Sequence, residues 1–179
     1  MCEETSMAMF KLQRDLLEGS ARIENVPFEQ RTSSSDGTTL YRNAFRRMRY
    51  SKGKEDYYNS LLLLKNDHLK SEDSAPMKDV LRQLHMEFSQ DLQMQISYDI
   101  LSGRIDARDL PFAIRTSEDY SEVYIYTFRM RRYDKDGTQY QEVLDLLKGD
   151  ITRLPWHSQE RSILKRIYEN AENIPWKPH

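Results

Sequence analysis

Thiols, glycines and long apolar runs are all scarce in this chain of 179 residues. The one cysteine, Cys2, has no second thiol with which to close a disulfide or share a zinc ion. A lone thiol fits a reducing compartment, so an intracellular location, nuclear or cytoplasmic, is expected. The six glycines form no glycine-rich phosphate cradle, and no serine stands in a Gly-x-Ser-x-Gly turn. His68, His85, His157 and His179 are scattered, and none has another histidine or a carboxylate at zinc-binding spacing. Carboxylate pairs such as Glu3-Glu4 and Glu72-Asp73 lie in polar stretches, where solvation keeps them ordinary acids. The longest apolar run is Leu61 to Leu64, and the opening thirty residues hold no basic region followed by an apolar segment. Neither membrane insertion nor secretion is expected. These absences imply no catalytic, cofactor-binding or metal-binding residue, no cofactor and no small-molecule substrate, and hence a chain that is not an enzyme.

What is present points to a folded domain. Eleven tyrosines and six phenylalanines are too many for a disordered chain, and 27 basic residues nearly balance 29 acidic ones. The length suits one domain over 1–179, with an N-terminal helix and a mobile Ser-rich loop over 1–40 and a helix and sheet core over 41–179. In the first helix, Thr5 to Glu18, Met9, Leu12 and Leu16 recur beside Phe10 and Leu17, and Gly19 is a stop signal. Ser20 to Thr39 contains Pro27, Ser33-Ser34-Ser35 and Asp36-Gly37 without a periodic apolar face. It is read as a loop whose serines could accept phosphate. A short helix is expected over Glu55 to Lys65. Ser74-Ala75-Pro76 opens a long one marked by Val80, Leu81, Leu84, Phe88, Leu92 and Ile96, ending near Gly103.

Two strands are expected next, Leu110 to Thr116 and Tyr120 to Tyr133. The second sets Val123, Ile125 and Thr127 on one face against Tyr124, Tyr126, Phe128 and Met130 on the other, the pattern of a central, doubly covered strand. Asp134-Lys135-Asp136-Gly137 turns the chain, a helix or strand follows over Tyr140 to Lys148, and a final helix runs from Ser158 to about Glu172. Asp134, Asp136 and Asp145 share the spacing of a calcium loop, but Gln139 stands where such a loop needs glycine, which favours a plain turn. No internal repeat is read from the chain.

One segment carries clustered charge. Arg42, Arg46, Arg47, Arg49, Lys52 and Lys54 alternate with Tyr41, Phe45 and Tyr50, and two readings compete. In the first, the cations neutralise phosphates while aromatics such as Tyr50 stack on bases, as in single-stranded nucleic-acid binding. In the second, the aromatics pack inward and leave a solvated basic face, and the lack of a known RNA-binding signature favours it.

Between residues 75 and 178 the order of elements resembles the HORMA domain in its meiotic chromosome-axis branch. The resemblance lies in Tyr98-Asp99-Ile100-Leu101 closing a helix, Leu110-Pro111-Phe112-Ala113-Ile114, and the acidic Ser117-Glu118-Asp119 before Glu122 to Phe128. Ser162 to Tyr168, followed by Ile174-Pro175, is similar to that domain's next helix. It implies an α+β fold, a small mostly antiparallel sheet packed against helices. It also implies protein-protein contact in meiotic chromosome-axis or checkpoint assembly, in the nucleus. The C-terminal latch with which that family captures peptides would follow Pro178, so the resemblance implies either a truncated form or a relative that has lost that device and uses another surface. The sequence reading is therefore a protein-binding adaptor, working through a sheet edge and exposed helix faces. The alternative is a nucleic-acid-binding module centred on residues 41–54.

Overall fold

The computed structural model describes residues 3–34, 37–49, 54–134 and 136–173, with the side chains of 3–6 left aside. Among them there are nine α-helices and no strand, so the expected α+β fold and its antiparallel sheet are overturned, and the HORMA resemblance with them. The meiotic and chromosomal roles that rested on that resemblance fall too. The helices are α1 (Glu3–Glu18), α2 (Phe28–Arg31), α3 (Gly37–Met48), α4 (Glu55–Lys70), α5 (Pro76–Leu101), α6 (Phe112–Arg115), α7 (Glu122–Arg131), α8 (Thr138–Arg153) and α9 (Gln159–Asn173).

Both expected strands are helical for the same physical reason. In α7 the buried residues are Val123, Tyr124, Thr127 and Phe128, one stripe at helical spacing, while Ile125 and Met130 face solvent. β-branched and aromatic residues had suggested a strand, but strand preference mainly measures packing, and here one buried face suffices. Leu110 to Thr116 holds the four-residue α6, and Leu110 and Ile114 are buried on one side of it. The stretch read as a loop, Ser20 to Thr39, is likewise structured where described. A 3₁₀ turn at Ile23–Asn25 and α2 bury Ile23, Val26 and Arg31, and α3 begins at Gly37. Ser35 lies outside the described residues.

The chain divides into two compact units, Met1–Leu92 and Gln93–His179. In the first, α1 packs on α3 with Leu16 buried and Met9 and Leu12 half-buried, and α3 packs on α2 and α4. Its centre is aromatic: Phe45 lies 4.8 Å from the Tyr57 ring and 4.3 Å from Phe88, with Tyr41 stacked at 6.1 Å. In the second, α7, α8 and α9 pack together around Tyr124, Phe128 and Tyr140. There Tyr124 and Phe128 stack at 6.1 Å, and Phe128 lies 5.2 Å from Tyr140.

These matching rings belong to an internal repeat that reading the chain alone had missed. Val26-Pro27-Phe28-Glu29-Gln30-Arg31-Thr32-Ser33 recurs as Leu110-Pro111-Phe112-Ala113-Ile114-Arg115-Thr116-Ser117. In both copies proline opens a single helical turn, and the threonine hydroxyl donates back to the phenylalanine carbonyl, 2.8 Å away each time. Upstream of each copy a helix ends in a glycine with positive φ, Gly19 at 88° and Gly103 at 80°.

Candidate functional site

The repeated motif builds a buried clamp in each unit. In the first, Arg31 donates through Nε at 2.8 Å and Nη2 at 2.9 Å to Asp67, which also accepts from the Tyr41 hydroxyl. A further Arg31 N–H goes to the Val26 carbonyl. In the second, Arg115 donates to Asp150 through Nε and Nη2, both at 2.8 Å, Tyr124 donates to the same carboxylate, and the Leu110 carbonyl takes the remaining contact. The sequence separations agree: 36 and 35 residues between arginine and aspartate, 26 and 26 between tyrosine and aspartate. Asp67 and Asp150 are sealed from solvent, and their oxygens are taken up by the clamp. Burial, followed by the bond to aspartate, pushes both tyrosine hydroxyls well above the ordinary phenol value. The bond to aspartate likewise holds Arg31 and Arg115 in their charged form. The clamps tie the Pro-Phe turn to α4 and α8.

The basic segment is largely committed to structure. Tyr41 and Phe45 are buried and turn inward. Arg42 grips Glu87 at 2.9 and 3.2 Å and lies over the Phe88 ring, and Arg49 faces Asp91 at 3.6 Å. Lys54 is buried, and its ammonium donates to the Arg49 carbonyl. Tyr50 and Lys52 lie outside the described residues. Among the described members only Arg46 and Arg47 remain exposed without a hydrogen bond or ion pair. The Asp134 to Asp136 turn serves a helix start: the Asp136 carboxylate accepts the Thr138 N–H at 3.0 Å beside Gly137, whose φ is 75°.

Arg46 and Arg47 open onto a cleft of about 570 Å³ enclosed by the end of α1, the Ile23–Asn25 turn, α3 and α4. Leu16, Leu17, Ala44 and Met48 supply its apolar lining. Its charge comes from Arg22, Arg46 and Arg47 against Glu24 and Asp56, and Arg22 already pairs with both acids, at 2.8 and 3.2 Å. Arg47 is held across Gly19, where a Cβ would collide with its guanidinium. Glycine there answers both the left-handed backbone and this close approach.

The second unit fills the same place. Its turn, Ala107–Asp109, is capped by Asp106, whose carboxylate accepts from the Arg108 N–H and from the Arg108 and Arg131 guanidinium groups. Arg108 reaches on to Gln139 and Glu142. Thr127, standing where the first unit has Ala44, accepts the Ala107 N–H at 3.0 Å. Burial works to raise the Asp106 carboxyl, yet the hydrogen bonds from Arg108 and Arg131 win and hold it below the ordinary aspartate value.

A second surface feature appears in both units. On α1, Met7, Phe10 and Leu17 are exposed, Phe10 by 75%, opposite the row that packs inward. At the end of α5, Met94, Tyr98 and Leu101 are exposed in the same way, opposite the buried Ile96 and Ile100. The sequence reading found the apolar periodicity of both helices but not that each carries two rows, one of them exposed. Among the described residues no group of three or more His, Cys, Asp or Glu side chains is placed to hold a metal ion, and no helix is long and apolar enough to cross a membrane. No family model, curated protein or solved structure matches the chain.

Proposed function

We propose that the chain is a non-enzymatic protein-binding module whose contact surface is the outer apolar row of α1, with that of α5 as its counterpart in the second unit. The exposed row of Met7, Phe10 and Leu17 carries this reading, because three large apolar side chains at helical spacing form a stripe that a partner's groove or helix can cover. Each side chain fully buried by a partner contributes roughly 1.5–3 kcal/mol before the cost of association. The buried, saturated aspartates of the clamps further support a non-enzymatic role, and the lone thiol of Cys2 suits a reducing compartment.

The rival reading, nucleic-acid binding by the basic segment, is weakened by the ion pairs that occupy its cations. The two free arginines among the described residues, neutralising two phosphates of a single strand, give a salt slope of only about −1.4, far from the steep dependence of six or more contacts. Affinity capture with the intact chain and with a Met7→Asp, Phe10→Asp double variant tests the proposal. Both positions are exposed, so the variant should keep its helical circular dichroism while losing the captured partner. An unchanged set of captured proteins rejects the α1 surface, and capture of nucleic acid abolished by reversing Arg46 and Arg47 favours the rival.

A further inference from the structure

We propose that the cleft of the first unit is a binding site for an organic carboxylate brought from outside that unit. The two units answer the same architectural question differently. In the second, the space beside the 3₁₀ turn is taken by the Asp106 carboxylate, gripped by two arginines at 2.6 Å (Arg108 Nη2) and 3.1 Å (Arg131 Nε). In the first, the residue preceding the turn is Arg22, and among the described residues no acid of the unit's own pairs with Arg46 or Arg47. Glu24 and Asp56 are both engaged by Arg22, which leaves Arg46 and Arg47 as charge without a counter-charge.

Two guanidinium groups beside a cavity present the fork of donors that binds a carboxylate, and the cavity volume falls in the range of small-ligand sites. Arg47 is also positioned in advance, since its guanidinium rests on the Gly19 backbone. The remaining walls, Leu16, Leu17, Ala44 and Met48, are apolar, so the ligand is a carboxylate attached to an apolar body. Either a free organic acid or an aspartate flanked by apolar residues on a peptide meets that description. The cleft shares Leu17 with the α1 surface, but its charge lies on α3, so substitutions at Arg46 and Arg47 test it without touching the α1 row.

The test is a nuclear magnetic resonance titration of the full chain with phenylacetate, with its neutral analogue phenylacetamide, and with the peptide amide N-acetyl-Leu-Asp-Leu. Saturable shifts are expected at the Gly19, Ile23 and Met48 amides and none over residues 104–109. Phenylacetamide should bind at least about tenfold more weakly, the loss expected when a charge-assisted contact worth about 1.4 kcal/mol is removed. The Arg46→Gln, Arg47→Gln double variant should weaken phenylacetate by a similar factor with its circular dichroism unchanged. Arg82→Gln, an exposed arginine on α5, should leave it as it is. Saturation by phenylacetate alone assigns a free acid, and saturation by the peptide alone an acidic side chain. The proposal is overturned if neither saturates at those amides, if phenylacetamide matches phenylacetate, or if the double variant binds as tightly as the intact chain.

Discussion

The first unit and the second are built on the same clamp and the same aromatic stack, yet they differ in one corner. Beside its 3₁₀ turn the second unit closes on itself through Asp106, Arg108, Arg131 and Glu142, whereas the first leaves a cleft edged by Arg46 and Arg47. The shared parts are those whose loss would leave a buried charge alone. The part that differs is exposed enough for polarity to change at little cost to folding. Arg22 in place of Asp106 is such a change: Arg22 is 59% exposed and pairs with acids on the surface, where an ion pair contributes at most about 1 kcal/mol.

The comparison can be broken first at the clamps. Asp67→Ala and Asp150→Ala should each destabilise by about 3–5 kcal/mol, since each strands a buried arginine without its acid. Chemical denaturation followed by circular dichroism reads the loss, and hydrogen exchange shows which unit opens. A cost under about 1 kcal/mol at either site would mean that the two clamps are not equivalent.

Titration sharpens the contrast. Tyr41 and Tyr124 have folded values raised above the ordinary phenol value of 10.0, so the stability they contribute is complete below pH 10 and falls as pH rises beyond it. Each should cost about 1.4 kcal/mol per pH unit in that window, and the two units should weaken together. Asp106 behaves in the opposite sense. Its folded value is lowered, so its contribution is present above the ordinary aspartate value of 3.8 and is lost as pH falls below it. Acid should therefore loosen the second unit's turn, with amides near Asp106 exchanging faster below pH 3.8.

The smallest effects separate two glycines. A Cβ on Gly37 would overlap the Arg31 carbonyl, so Gly37→Ala should destabilise by about 1–3 kcal/mol through overpacking. Gly149 lies exposed within α8 with nothing within 4 Å of its Cβ position, so Gly149→Ala should stabilise by up to about 1 kcal/mol. Thermal unfolding of the two variants gives the signs directly, and a stabilised Gly37→Ala would show that the α2 to α3 approach is looser than described.

Long periodic helices were legible from the chain. The helix opened by Ser74-Ala75-Pro76 and closed near Gly103 is α5, and the one read from Ser158 to Glu172 is α9 within a residue at each end. Legibility failed where composition and periodicity disagreed. Val123, Tyr124, Ile125 and Thr127 are strong strand formers, but the stripe formed by Val123, Tyr124, Thr127 and Phe128 decides the outcome. The repeat escaped notice because its identical residues are few, and the spacing between the Pro-Phe turn and the aspartate differs by one residue between copies. Of the candidate cleft, the sequence offered Arg46 and Arg47 as part of a basic run. Their neighbours Leu16, Gly19 and Arg22 come from another stretch of chain, and only folding brings them together.

The clamp also constrains how such a unit can change over time. Replacing the arginine strands an acid, replacing the acid strands an arginine, and replacing the tyrosine leaves a buried carboxylate short of a donor. No single step leads away from it without a cost, so the three side chains persist as a set or vanish as a set. A Pro-Phe-x-x-Arg turn followed by a tyrosine, with an aspartate 26 residues beyond that tyrosine, is thus a short signature by which further copies of this unit could be sought in other chains.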